Sequence, residues 1–91
     1  MNAAQVYYEG NVQGVGFRYS VKQIARGFDV IGLVRNLPDG RVELQAAGEA
    51  AELDAFLHAI AASELRGHIK NATHAALAAP PAVRGFEIRH G

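Results

Sequence analysis

Stretches of alternating and of helical hydrophobic spacing follow one another along the chain. Over residues 5–11, apolar and polar side chains alternate, which predicts a strand. Apolar side chains then recur at helical spacing over residues 17–28, which predicts an amphipathic helix. The glycines at positions 10, 14 and 16 lie between the two and predict a loop with a sharply bent backbone.

A turn signal separates the next two predicted strands. Residues 30–34 form a short run rich in β-branched side chains, and residues 41–46 follow as a second strand candidate. Between them lie Pro38, Asp39 and Gly40, a combination in which proline presets its φ angle and glycine accepts a left-handed backbone. We therefore predict a β-hairpin and interpret Asp39 as a turn residue.

The second half of the chain continues the alternation of helix and strand. Helical spacing predicts a helix over residues 50–63, and residues 68–77 and 85–90 are strand candidates. The order β-α-β-β-α-β is typical of the ferredoxin-like α+β sandwich, an antiparallel sheet of four to five strands with two helices on one face. No repeat or linker divides the sequence, so we predict a single domain over residues 1–91.

Composition and charge narrow the classes of function. Nine basic residues balance nine acidic ones, which does not favour a nucleic-acid or membrane-surface partner. The chain has no cysteine, no signal-peptide pattern and no apolar run long enough to span a membrane. The four histidines lack the spacing of a metal site. These features predict a soluble cytoplasmic protein without a bound metal.

The glycine-rich loop before the first helix is a candidate anion site. Helix-opening N–H groups lack internal partners, and glycines allow several of them to converge on one anion. Arg18 lies where the loop becomes helix, so its guanidinium could close over phosphate oxygens. The loop matches neither the dinucleotide fingerprint nor the P-loop. The loop pattern alone therefore favours an ordinary turn over a phosphate site.

Two longer motifs make the assignment more specific. The sequence G-N-V-Q-G-V-G-F-R begins at Gly10, and G-L-V-R-N-L-P-D-G begins at Gly32. Together, in this order and separation, they closely resemble the acylphosphatase family, whose fold is ferredoxin-like. The resemblance implies metal-independent hydrolysis of a small-molecule acyl phosphate to a carboxylate and inorganic phosphate. It also implies that no cofactor is needed and that the protein is a monomer.

The resemblance also implies roles for individual residues. The phosphoryl group would be held by six consecutive residues, namely Gln13, Gly14, Val15, Gly16, Phe17 and Arg18. Arg18 and Asn36 would be the catalytic residues, with Asn36 orienting the attacking water. Few groups suffice because an acyl phosphate expels a carboxylate, a weak base that needs little protonation to leave. The substrate phosphate itself would accept the proton of the water, as proposed for the family.

Several nearby side chains receive ordinary structural interpretations. Arg35 precedes Asn36 on a predicted strand, so it should point to the opposite face, and we expect it to be solvated. The three tyrosines, Tyr7, Tyr8 and Tyr19, raise the question of base stacking, because some RNA-binding modules share this fold. The strand over residues 41–46 carries no aromatic residue, so we interpret the tyrosines as core and sheet packing.

Two other functions remain open on the sequence. One is a non-catalytic module that senses phosphate or another ligand with the same loop. The other is the acylphosphatase-like domain of a hydrogenase-maturation carbamoyltransferase, excised from its longer chain. The presence of both Arg18 and Asn36 favours a hydrolase, since a mere binder has no need of an amide that positions water.

Overall fold

A five-stranded sheet forms the centre of the protein in the computed structural model, which describes residues 1–90. The elements, in chain order, are β1 (Asn2–Gly10), α1 (Phe17–Ala25), β2 (Val30–Asn36), β3 (Val42–Gly48), α2 (Ala50–Ala62), β4 (Ile69–Ala76) and β5 (Phe86–Arg89). A short 3-10 helix, Glu64–His68, lies between α2 and β4. Neither α-helix of residues 1–90 has the length and apolarity needed to cross a bilayer.

The strand order is β4-β1-β3-β2-β5, and both helices pack on the sheet. This arrangement confirms the predicted ferredoxin-like α+β fold. The prediction of a wholly antiparallel sheet is wrong at one pair, because β5 runs parallel to β2. The two last strands lie at opposite edges, so the chain after β4 crosses to the far side of the sheet before β5 begins. Strand propensity carries no information about such a crossing.

The hydrophobic core lies between the helices and one face of the sheet. Each helix buries one apolar stripe: Phe17, Val21 and Ala25 on α1, and Leu53, Phe56 and Ile60 on α2. Aromatic side chains from three segments meet around Phe56, whose ring centroid lies 6.0 Å from that of Phe28 and 5.6 Å from that of Phe86. The contact between Phe56 and Phe86 therefore ties β5 to α2, which matters for the site because β5 carries part of it.

The structure also differs from the sequence predictions in where the elements begin and end and in one unpredicted helix. The first strand starts at Asn2 instead of residue 5, because Asn2 pairs with Gly48 at the end of β3 and extends the ladder. The 3-10 helix after α2 was not predicted. The Ser63 hydroxyl caps it by accepting a hydrogen bond from the Leu65 N–H at 3.1 Å, and the Leu65 side chain is buried.

The face of the sheet away from the helices carries a buried carboxylate, that of Glu43. It lies near the end of β2, the strand that ends at Asn36. Glu43 is only 2% exposed, and Arg35, its cross-strand neighbour, donates a hydrogen bond to Oε1. The side-chain amides of Gln5 and Gln45 donate to Oε2. Arg35 therefore points to the predicted face, and its side chain is 41% exposed, but its ion pair with Glu43 is not predicted. Its ion pair depends on the β2–β3 register, which the strand pattern alone does not give.

We expect this carboxylate to make stability depend on pH. Burial alone would raise the pKa of Glu43, but the hydrogen bonds from Arg35, Gln45 and Gln5 outweigh it and hold the pKa below its usual value of 4.5. Folding therefore favours the ionised form. Its stabilising contribution is present above pH 4.5 and is lost as the pH falls through the lower folded-state pKa. Urea unfolding measured from neutral to strongly acidic pH should show this decline in the free energy of unfolding.

Two variants separate Glu43 from the other carboxylates. Glu43→Gln should be less stable than the unaltered chain at neutral pH and should show a shallower loss on acidification. Glu87→Gln is the matched control, because Glu87 forms an exposed ion pair with Arg89 on the edge strand. An acid dependence in Glu43→Gln identical to that of the unaltered chain would contradict the prediction.

Candidate active site

The loop between β1 and α1 has the backbone geometry of an anion cradle. Gly14 and Gly16 adopt φ angles of +78° and +72°, in the left-handed region that favours glycine. Gly16 is the N-cap of α1 and has no side chain with which to satisfy the first helical N–H groups. The Gly16 carbonyl accepts the first helical hydrogen bond, from the Ser20 N–H at 3.0 Å. The loop therefore presents main-chain donors at the positive end of the helix.

Gln13 attaches this loop to the β2–β3 hairpin. Its side-chain amide donates to the carbonyls of Leu37 at 2.8 Å and Arg41 at 2.9 Å. Both amide hydrogens are thus engaged by the protein, and only the main-chain N–H of Gln13 is left for an anion. Because Leu37 follows Asn36 directly, the same contacts hold the hairpin end that carries Asn36 against the loop.

Arg18 lies in the first turn of α1 and reaches the end of β5. Its Nη1 atom donates to the Arg89 carbonyl at 2.9 Å and lies 3.4 Å from Nδ1 of His90. A guanidinium has five N–H donors, so this anchor can hold the group in place while other donors face a ligand. The two contacts join residues more than seventy positions apart. The position of Arg18 therefore depends on the docking of β5.

These elements enclose a cavity of about 290 Å³. It is lined by Val12, Gly14, Gly16, Phe17, Arg18, Tyr19, Asn36, Ile88 and His90. The structure thus brings Arg18 and Asn36, which the sequence separates by a helix and a strand, to one cavity. Of the other predicted phosphate-binding residues, Gly14, Gly16 and Phe17 also line it. Gln13 and Val15 do not, and the Val15 side chain packs against the core instead.

The charge of the lining suits an anion. Arg18 is the permanent cation of the cavity, and the amino end of α1 adds partial positive charge. None of the lining residues within positions 1–90 is acidic. An anionic ligand therefore meets no competing carboxylate, although the chain as a whole is neutral. No cluster of three or more His, Cys, Asp or Glu side chains suited to a metal occurs in the described part of the chain.

A larger groove of about 490 Å³ lies elsewhere, between the start of β1, the end of β4 and Leu57 of α2. His74 is the one titratable side chain among its lining residues, most of the others being small or apolar. The groove offers no convergent set of polar groups. We therefore place the candidate active site at the smaller cavity, which combines the glycine loop, a guanidinium and an amide.

Four lining residues are not among the predicted site residues, namely Val12, Tyr19, Ile88 and His90. Tyr19 was interpreted as packing, which is wrong, because its side chain is 62% exposed and borders the cavity. Its place off the apolar stripe of α1 was the signal that could have shown this. Tyr8 is buried as expected. The Tyr7 ring packs against the Arg41 guanidinium, whose Cζ atom lies 4.5 Å from the ring centroid. Ile88 and His90 had no local signal, since only the docking of β5 beside β2 brings them here.

Comparison with known proteins supports one family. A family model described as Acylphosphatase matches residues 4–88. An acylphosphatase of Archaeoglobus fulgidus is 53% identical over 60 residues, covering 66% of this chain and 67% of that protein. An acylphosphatase of Lacticaseibacillus paracasei is 37% identical over 87 residues, covering 94% of each chain. The crystal structure of acylphosphatase from Bacillus subtilis superposes with a TM-score of 0.87 at 30% identity, covering 98% of this chain and 99% of that one.

The extent of these matches varies among relatives. Some curated acylphosphatases align with this chain over only about half of their length, one of them over 52%. The family model nevertheless matches nearly the whole sequence and includes both the glycine loop and the hairpin that carries Asn36. On this evidence the chain belongs to the acylphosphatase family.

Proposed function

We propose that the protein is an acylphosphatase that hydrolyses small acyl phosphates to a carboxylate and inorganic phosphate. One observation carries the proposal: Arg18 and Asn36, from different elements, line the same cavity as the two left-handed glycines at the start of α1. A guanidinium and free helical N–H groups are suited to binding phosphate, and the nearby carboxamide can form a hydrogen bond with a water molecule. Membership of the family supports the same reaction.

Binding of the phosphoryl group would fall to the loop and to Arg18. The main-chain N–H groups of residues 13–18 would donate to its oxygens, with Arg18 as the charged clamp. Because these donors are already oriented, they would stabilise developing charge on the phosphoryl oxygens without reorganising during the reaction. The Arg89 carbonyl would keep the guanidinium in this orientation.

Asn36 would position the nucleophile. Its carboxamide oxygen can accept a hydrogen bond from water, and its NH2 can donate to a phosphoryl oxygen. The water oxygen would form the new bond to phosphorus as the bond from phosphorus to the acyl oxygen breaks, and the carboxylate would leave with the electron pair. The proton of the water would pass to a phosphoryl oxygen. In such a transfer, positioning and electrostatic stabilisation supply most of the catalysis.

The proposed reaction needs no metal ion or cofactor. Arg18 and the amino end of α1 supply the positive charge that divalent cations provide in many phosphoryl-transfer enzymes. The carboxylate is a stable leaving group, so no Lewis acid has to activate it.

We further propose that residues 1–91 act as a single-domain monomer in the cytoplasm. Strands from both ends of the chain pair in one sheet, which supports a single folding unit. Met1 and Tyr19 are the exposed large hydrophobic side chains of residues 1–90, and they border two different cavities, which supports a monomer. The lack of cysteine suits a reducing compartment.

A direct assay tests the proposed activity. The purified chain should hydrolyse benzoyl phosphate and acetyl phosphate, and the rate should be unchanged after treatment with a chelator. An alkyl phosphate ester, whose alkoxide leaves far less readily than a carboxylate, should be a very poor substrate. If both acyl phosphates survive while inorganic phosphate still binds, the non-catalytic phosphate-sensing module is the correct function.

A further inference from the structure

The cavity has a polar side and an apolar side. The polar side consists of the glycine loop, Arg18 and Asn36, which the proposed function uses for phosphate and water. The apolar side is contributed by Val12, Phe17, Tyr19 and Ile88. An acyl phosphate has the same division, with a charged phosphoryl group at one end and a carbon skeleton at the other.

The apolar side chains differ in the surface that they leave for a ligand. Val12 and Phe17 are 1% and 2% exposed, and the Phe17 ring packs against that of Tyr8 with centroids 5.1 Å apart. Nearly all of the surface of these two side chains is already buried in the hydrophobic core. Ile88 is half-buried, and Tyr19 is 62% exposed. Most of the apolar surface that a ligand could still cover therefore belongs to Tyr19 and Ile88.

Tyr19 borders the same cavity as Arg18. It follows Arg18 in the first turn of α1, and both residues line the cavity. It is also one of two exposed large hydrophobic side chains in residues 1–90, the other being Met1. Because Tyr19 borders the cavity, its exposure leaves an aromatic face available beside the phosphate site.

We propose that Tyr19, together with Ile88, forms the acyl-group subsite, and that the Tyr19 ring raises kcat/KM for an aromatic acyl phosphate relative to acetyl phosphate. The proposal rests on the proposed hydrolytic function and names residues that determine its acyl-group specificity. The cavity of about 290 Å³ lies at the small end of the range of roughly 300–1,000 Å³ for small-molecule sites. An acyl group the size of one aromatic ring fits such a site, and a long acyl chain would extend into solvent.

Steady-state kinetics with two substrates test the subsite. We would measure kcat/KM for benzoyl and acetyl phosphate in the unaltered chain, Tyr19→Ala, Tyr19→Phe and Tyr7→Ala. The benzoyl-to-acetyl ratio should exceed one in the unaltered chain and fall about three- to tenfold in Tyr19→Ala, the range expected for one aromatic contact. Tyr19→Phe should keep the ratio because it keeps the ring. Tyr7→Ala is the matched control, since Tyr7 packs beneath Arg41 on the other face of the sheet.

Inhibition by inorganic phosphate tests the binding of the phosphoryl group apart from that of the acyl group. Its inhibition constant should be the same in Tyr19→Ala as in the unaltered chain, because phosphate has no acyl group. A benzoyl-to-acetyl ratio that does not change in Tyr19→Ala, or an equal loss on both substrates, would overturn the subsite while leaving the proposed function intact. Absence of hydrolysis of both substrates in the unaltered chain would overturn the proposed function and the subsite with it. Urea unfolding of each variant checks that the fold is retained.

Discussion

Replacing Arg18 with alanine is expected to lower kcat/KM for acyl phosphate hydrolysis by about a hundredfold or more, the cost typical of losing one preorganised electrostatic donor. The guanidinium is the permanent cation of a cavity whose lining residues within positions 1–90 include no acid. Its loss removes charge stabilisation both in the bound substrate and in the transition state. We therefore expect inorganic phosphate to inhibit the variant much more weakly, and both effects can be measured in one steady-state assay.

Arg18→Lys tests whether geometry matters in addition to charge. Lysine keeps the positive charge but lacks the planar fork with which arginine donates to the Arg89 carbonyl and would donate at the same time to a phosphoryl oxygen. Its activity should lie between those of Arg18→Ala and the unaltered chain. Arg26→Ala is a suitable control, because Arg26 is exposed at the other end of α1. Nearly full activity in Arg18→Ala would remove Arg18 from the mechanism.

Replacing Asn36 with alanine is expected to lower kcat by about a hundredfold, the loss that misplacing a reacting group commonly causes. The groups proposed to bind phosphate belong to the loop and α1, whereas Asn36 ends β2 on another wall of the cavity. The variant should therefore lose turnover, while the inhibition constant of inorganic phosphate changes much less than kcat does. Comparison of kcat with that inhibition constant separates the positioning of water from the binding of phosphate.

The control for Asn36 is a second asparagine at the surface. Asn71 donates a hydrogen bond to Glu9 on the exposed part of the sheet, and Asn71→Ala should leave hydrolysis unchanged. If phosphate binding in Asn36→Ala weakens as much as turnover does, Asn36 binds phosphate and the role assigned to it is wrong. If both are preserved, the attacking water is oriented by some other group.

Much of the fold follows from local sequence signals. The hairpin was predicted because its turn chemistry is local, and the Gly40 N–H indeed closes the turn on the Leu37 carbonyl. The helices were predicted because each needs one apolar stripe to cover the sheet. The parallel pairing of β5 with β2 was not predicted, since a strand of four residues shows neither its neighbour nor its direction. The ion pair of Arg35 with Glu43 was not predicted either, because strand register decides which residue lies opposite Arg35.

In the candidate site, too, some features follow from the local sequence and others only from the tertiary structure. The sequence by itself determined the loop, because glycines at positions 14 and 16 are what a left-handed backbone at a helix start requires. It also placed Arg18 directly after that loop. Only the tertiary structure decided that Arg18, Asn36 and Tyr19 border one cavity and that β5 anchors the guanidinium. Loop conformation follows from steric limits on neighbouring residues. The meeting of distant side chains follows from strand pairing and core packing, which involve the whole chain at once.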